Sequence, residues 1–183
     1  YRLPNYGHKE VPLEDIQAAL RYIRKNAKRL GVDPKQVGVC GGSAGGHLAA
    51  YASTFTPDAE KPAFSILFYP VITGETWESH QDSFAQLLGK GRSVAEQQYY
   101  SLQNRVTPTT PPALILLSDD DAEVPTLSSI LYYNALKHYG IPAAMHIYPN
   151  EGHGWAAKPW RTCGEKAKPN IKDWLEIQRK NHQ

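Results

Sequence analysis

The decapeptide GVCGGSAGGH, residues 38–47, sets one serine, Ser43, among five glycines directly after a short apolar run. A serine hydroxyl is a weak nucleophile until a base takes its proton and a third group fixes the tautomer of that base. Gly41-Gly42-Ser43-Ala44-Gly45 fits G-x-S-x-G, the sharp strand-to-helix turn that presents a serine at the top of a sheet. Such a turn draws together the residues two before and two after the serine, so Gly41 and Gly45 are expected to be the positions that must lack bulk. It also leaves the Ala44 N–H at a helix start, where the dipole favours a developing oxyanion. A phosphate-binding turn is the competing reading, but the glycines do not keep G-x-G-x-x-G spacing and no P-loop lysine follows. A glycine-rich turn with a purely structural role is the other alternative.

The partners such a serine needs are sought downstream, because the usual chain order is serine, acid, histidine. His153, in NEGHGW, lies in a glycine-flanked loop directly after a strand-like run. The acid candidates are Asp119, Asp120, Asp121 and Glu123 in SDDDAEVP, again just after a strand-like run. Three adjacent carboxylates repel one another when buried, so one is expected to orient the histidine while the others are solvated or cap the next helix. His146 falls inside a strand, His138 inside a helix, and His8, His80 and His182 in polar segments, all read as structural or exposed. His47 follows the turn within its helix and is read as a packing residue or a support for the site. The carboxylates come without further ligands at metal-binding spacing, so neither a metal nor another cofactor is expected.

The elements that must position these groups follow from periodicity. In PLEDIQAALRYIRKNAKRLG, apolar residues recur at three- and four-residue steps between Pro12 and Gly31, which predicts an amphipathic helix. QVGVC reads as a buried strand, Ala44 to Phe55 as a helix, and AFSILFY as a strand ended by Pro70. Residues 71–110 are polar and turn-rich with short helical suggestions, among them SVAEQ, where Ser93 and Glu96 have capping-box spacing. Then come the strand ALILL, a helix from Pro125 to Tyr139 closed by Gly140, the strand AAMHIY, and a helix from Gly164 to Arg179. Strands separated by helices imply right-handed crossovers, hence an α/β fold with a mainly parallel, doubly wound sheet and helices on both faces. In such sheets functional groups gather outside the carboxyl ends of the strands.

Composition narrows the partners. The 183 residues, 41% hydrophobic and 21% charged, read as one globular domain. Twenty Lys and Arg against eighteen Asp and Glu give a net charge of +2, too small to argue for nucleic acid or an anionic membrane. The basic run Arg21, Arg24, Lys25, Lys28 and Arg29 is read as the solvated face of the first helix, with phosphate binding as the lesser alternative. Two cysteines, Cys40 and Cys163, make no disulfide framework, and Cys40 is expected to be a buried free thiol. No stretch is long and apolar enough for a membrane span, and the compartment stays open.

Taken together, these segments resemble the α/β-hydrolase fold esterases and lipases, with the nearest likeness to bacterial serine esterases of the acetylxylan-esterase, xylanase-associated kind. The resemblance extends over nearly the whole chain, through YRLPNYGHKEVPLEDIQAALRYIR, GGSAGGHLAAYAST, FSILFYPVIT, YYSLQNRVTPTTPPALILLSDDDAEVP and SSILYYNALKHYGIPAAMHIYPNEGHGW. It implies Ser43 as nucleophile, His153 as base and Asp121, in a D-x-x-V-P pattern, as the orienting acid, with the Ala44 N–H as one oxyanion donor. The family fold takes its second oxyanion donor from a glycine-rich loop after an early strand. Only about forty residues precede Ser43, so the chain is expected to be the C-terminal part of a longer hydrolase. Loss of one oxyanion donor lowers the rate by about 10²- to 10³-fold, and weak turnover is the corresponding expectation.

Three functions compete on this reading. The first is hydrolysis of short-chain acyl esters, such as acetyl groups on xylan, with a small-molecule or oligosaccharide ester as substrate. Trp77, Trp155, Trp160, Tyr99 and Tyr100 are candidates for stacking on sugar rings, against the simpler reading that they pack. The second is a peptidase of the prolyl oligopeptidase type, which shares the turn and the order of the triad. The third is a non-catalytic binding module on the same fold.

Overall fold

A computed structural model describes residues 1–183 except 5–7, 76, 78, 159–161 and 181–183. Trp160 and His182 lie outside the described residues. The element order is α1 (Val11–Lys25), α2 (Ala27–Leu30), β1 (Val39–Gly42), α3 (Ala44–Phe55), β2 (Ser65–Phe68), α4 (Gln81–Leu88), α5 (Val94–Tyr100), β3 (Ala113–Ser118), α6 (Thr126–His138), β4 (Ala143–Tyr148) and α7 (Thr162–Lys180). The four strands are all parallel, in the order β1-β2-β3-β4, with registers such as Gly42↔Phe68, Phe68↔Leu116 and Ser118↔Tyr148.

A sheet that advances in one direction through right-handed crossovers carries its crossover helices on one face, and α3 and α6 are those helices. The helix α7 also packs on β3, and its Cys163, Ala167 and Trp174 are buried. This packing explains β3, where every residue from Ala113 to Ser118 is buried, and fits its unbroken apolar run. The α3 helix is nearly as enclosed, with Leu48 to Ser53 all buried beneath α1 and against β1 and β2.

Several elements differ from expectation for identifiable reasons. The first helix breaks at Asn26, which leaves helical geometry at φ −105° and ψ 14° while its side-chain amide donates to the Tyr22 carbonyl at 2.8 Å. Gly31 then closes α2 in the left-handed region at φ 67°. The first strand starts three residues later than QVGVC suggests and ends two residues later. Asp33 accepts from the Lys35 N–H and starts a 3-10 turn over Pro34–Gln36, so pairing begins only at Val39. The helix α4 lies in the stretch that reads as polar and turn-rich. Its cap is His80, whose ring nitrogen accepts from the Ser83 N–H, rather than one of the short polar residues that usually mark a helix start. In α5 the expected capping box forms, with Ser93 and Glu96 each accepting from the other's backbone N–H.

Cys40 is exposed rather than buried. β1 is an outer strand of the four, and alternation along it sends Val39 into the core and Cys40 to the opposite face, beside the cavity over Ser43.

Candidate active site

The turn that carries Ser43 is sharp. β1 ends at Gly42, α3 begins at Ala44, and Ser43 between them adopts φ 56° and ψ −124°, a region that residues with a Cβ avoid. Its N–H donates to the Phe68 carbonyl at 3.0 Å, and its own carbonyl accepts from the His47 and Val71 N–H groups at 3.0 and 3.3 Å. These three bonds hold the strained residue between strand and helix. Ala44, the first residue of α3, is exposed, so its N–H is one of the helix-start donors without an intrahelical acceptor.

The glycines divide differently from expectation. A Cβ on Gly41 would lie 2.1 Å from the Gly45 carbonyl oxygen, a contact that no side chain survives. A Cβ on Gly45 would meet nothing within 4 Å, so the turn does not demand its missing side chain. The crowding is one-sided because it is the Gly45 backbone, not its Cβ position, that folds back over Gly41. Gly46 is the second tight position, with Pro70 atoms 2.8 Å from where its Cβ would be.

His153 and Asp121 arrive from neighbouring strands. Asp121 lies three residues beyond β3 and His153 five residues beyond β4, both on the carboxyl side where β1 delivers Ser43. His153 Nε2 lies 2.9 Å from Ser43 Oγ, and its Nδ1 lies 2.7 Å from Asp121 Oδ2. A carboxylate can only accept, so Nδ1 carries the proton and donates, and Nε2 in the neutral ring is free to accept from the serine hydroxyl. The Asp121 side chain is buried, and its Oδ1 accepts from the Glu123 and Val124 N–H groups, each at 2.9 Å. Its charge is therefore compensated from both sides.

The other members of the acidic run do not cap α6, which has no side-chain cap. Asp119 and Asp120 are both exposed, and Asp120 accepts from the Gly152 N–H across the gap between the two loops. Among the described residues no cluster of three or more His, Cys, Asp or Glu side chains is arranged to hold a metal ion.

Around the triad, Tyr69 packs its ring on His153 at a centroid distance of 4.6 Å, and its hydroxyl accepts from the Ala156 N–H at 3.1 Å. Tyr69 belongs to none of the sequence motifs. Its signal was the Tyr-Pro that ends the β2 run, where Tyr69 takes a positive φ of 35° to turn its ring under the site. Trp155 is buried and edge-on to Phe68, Tyr69 and Tyr148, so it packs beneath the histidine loop instead of facing a ligand. Tyr100 is buried as well, Tyr99 lies against Arg105, and only Trp77 among the described candidates is almost wholly exposed, at 88%.

His47 is a buried support, as expected. Its Nε2 donates to the Tyr100 carbonyl at 3.3 Å, its ring meets Phe84 edge-on, and burial pushes its pKa down to about 4. The remaining described histidines make no bond to the triad. His80 caps α4, His138 closes α6, His146 is half-buried in β4 and His8 is exposed.

Two hollows flank Ser43. One of about 400 Å³ lies on the histidine side and is lined by Cys40, Phe68, Tyr69, His153 and Ala156 among others. The second, about 390 Å³, lies beyond Ala44 and is lined by His47, Leu48, Tyr51, His80, Phe84 and Leu87 among others.

The sequence pattern of the prolyl oligopeptidase family matches residues 4–178. The chain belongs to the prolyl oligopeptidase family. The chain is 37% identical over 180 residues to an acetylxylan esterase of Xylanibacter ruminicola, an alignment that covers 96% of this chain and 37% of that protein. It is also 37% identical over 158 residues to endo-1,4-beta-xylanase B of Butyrivibrio fibrisolvens, covering 80% of this chain and 25% of that protein. The chain thus spans between a quarter and about two fifths of the length of these curated relatives. The crystal structure of an acetyl ester-xyloside bifunctional hydrolase from Caldicellulosiruptor lactoaceticus superposes with a TM-score of 0.87 at 32% identity, over 97% of this chain and 69% of that one. The parallel sheet with its covering helices is the α/β-hydrolase fold of this prolyl oligopeptidase family member.

Proposed function

We propose that the protein hydrolyses carboxylic esters through an acyl-enzyme, with short acyl groups on carbohydrate, such as acetyl groups on xylan, as the substrate class. The observation that carries this reading is the unbroken relay from Asp121 Oδ2 through His153 to Ser43 Oγ, at 2.7 and 2.9 Å, on a serine held at φ 56°. Ser43 Oγ attacks the acyl carbonyl while His153 Nε2 takes its proton, and the Ala44 N–H donates to the oxyanion that forms. His153, held in its tautomer by Asp121, returns the proton to the departing alcohol oxygen. Water then enters, His153 deprotonates it, and the carboxylic acid leaves as the Ser43 hydroxyl is restored. The choice of ester and of carbohydrate is supported by the relatives named for acetylxylan and acetyl ester-xyloside hydrolysis.

The family name itself supports a second reading, cleavage of peptides or amides next to proline. Parallel assays separate the two. The ester reading expects fluorophosphonate labelling that Ser43→Ala removes, and release of acetate from acetylated xylo-oligosaccharides without cleavage of an aminoacyl-proline arylamide. Arylamide cleavage without acetate release would reverse the assignment, and a folded chain that does not label would end both readings.

A further inference from the structure

We propose that Asp120, the carboxylate beside the triad acid, is a positioning residue that holds the loop of His153 in register with Ser43. This rests on the reading of Ser43, His153 and Asp121 as the triad.

The segment that carries the histidine has little intrinsic reason to keep one shape. Glu151, Gly152 and Gly154 have positive φ, at 107°, 61° and 79°, so the backbone on both sides of His153 sits where glycine moves freely and glutamate is disfavoured. Its order comes from outside. Ser118 Oγ and Cys163 Sγ both donate to the Asn150 carbonyl, and the Thr162 N–H donates to Glu151 Oε1. Those bonds fix the start of the loop. The next residue, Gly152, is the last hinge before the imidazole, and its N–H donates to Asp120 Oδ1 at 2.9 Å.

Topology places this bond next to the catalytic one. β3 and β4 are paired as far as Ser118↔Tyr148, and the Asp119 N–H extends the contact by donating to the Tyr148 carbonyl at 2.7 Å. Beyond that point the chains part and side chains take over, Asp120 to Gly152 and then Asp121 to His153, one residue further along each strand. The two aspartates are successive rungs between the same two loops. Asp120 holds the backbone and Asp121 the ring, and what the first rung needs is an oxygen acceptor at the Gly152 N–H. Displacing a reacting group by about 1 Å costs up to about 10²-fold in rate, so release of Gly152 is expected to appear in kcat.

The test compares Asp120→Ala, Asp120→Asn and Asp119→Ala with the unaltered chain, by steady-state ester hydrolysis, fluorophosphonate labelling, and NMR of the His153 imidazole proton and the Gly152 amide. Asp120→Ala is expected to lower kcat by about 10- to 100-fold with KM nearly unchanged, to broaden the imidazole proton and to speed exchange of the Gly152 amide. Asp120→Asn keeps an oxygen acceptor and is expected to stay within about threefold, as is Asp119→Ala, whose side chain is as exposed as that of Asp120 but does not bond the Gly152 N–H. Asp120→Ala within twofold of the unaltered chain and with a sharp imidazole proton overturns the proposal. So does Asp120→Asn as impaired as Asp120→Ala, because charge rather than the bond would then be at work. If the unaltered chain shows neither labelling nor turnover, the triad reading fails on its own, and the two NMR signals still decide whether Asp120 holds the loop.

Discussion

The backbone of Gly45 closes over Gly41, leaving 2.1 Å between the Gly45 carbonyl oxygen and the place where a Gly41 side chain would begin. A methyl group there forces apart the strand and helix that hold Ser43 in its strained conformation. Gly41→Ala is therefore expected to lose at least about 100-fold in fluorophosphonate labelling rate, and overpacking of this kind costs a further 1–3 kcal/mol or so in stability. Gly45→Ala is expected to behave in the opposite way. Its Cβ has open space, and alanine in a helix gains up to about 1 kcal/mol over glycine. Thermal melts and labelling of the two variants side by side check the contrast, and equal damage in both would show that the turn is not arranged as described.

Asp121 divides its oxygens, one to His153 and one to the Glu123 and Val124 N–H groups. In Asp121→Asn the carboxamide oxygen is expected to stay with the two backbone donors, which turns its NH₂ toward His153 Nδ1. A donor there drives the imidazole proton to Nε2, so the ring can no longer accept from Ser43. The expected loss is about 10³- to 10⁴-fold in kcat with substrate affinity retained, close to that of Ser43→Ala. A loss under tenfold would mean that Asp121 does not set the tautomer.

Much of this site was legible in the residue order. A serine flanked by glycines between an apolar run and an amphipathic helix already specifies the turn, and a histidine and an acid after later strands specify where the partners arrive. Periodicity alone did not choose among Asp119, Asp120 and Asp121, because the choice depends on how two loops face each other beyond the last rung of β3 and β4. The exposure of Cys40 and the role of Tyr69 were hidden for a related reason. Both depend on which strand is outermost and on a positive φ at a tyrosine, and neither leaves a pattern in composition or spacing. The crowding at Gly41 and freedom at Gly45 likewise reflect the direction in which α3 starts, which G-x-S-x-G does not distinguish.

Tyr69 supports the histidine loop from below, its ring on His153 and its hydroxyl on the Ala156 N–H. Tyr69→Phe keeps the ring and leaves the amide without its acceptor, a loss of about 1–3 kcal/mol where the group stays buried. The expected result is a lower melting temperature with kcat within about threefold. Tyr69→Ala removes the surface on which the imidazole rests and is expected to lower kcat by at least about tenfold. Unequal effects on kcat from the two variants would show that the ring, not the hydroxyl, orients His153.

His47 makes stability depend on acidity. Burial lowers its pKa in the folded chain to about 4, whereas in the unfolded chain it is expected near the usual 6.5. As pH falls from 6.5 to 4 the unfolded chain binds a proton that the folded chain refuses, so unfolding becomes progressively easier. The stability contributed by the neutral ring is full above about pH 6.5 and is lost toward pH 4, a change on the order of 3 kcal/mol. His47→Gln retains a donor for the Tyr100 carbonyl but does not titrate. Urea unfolding at several values between pH 7 and pH 4 is expected to show a shallower loss for His47→Gln than for the unaltered chain, by about that amount. Parallel curves for the two would mean that His47 is protonated within the fold, and its position between Phe84 and the Tyr100 carbonyl would then have to admit water.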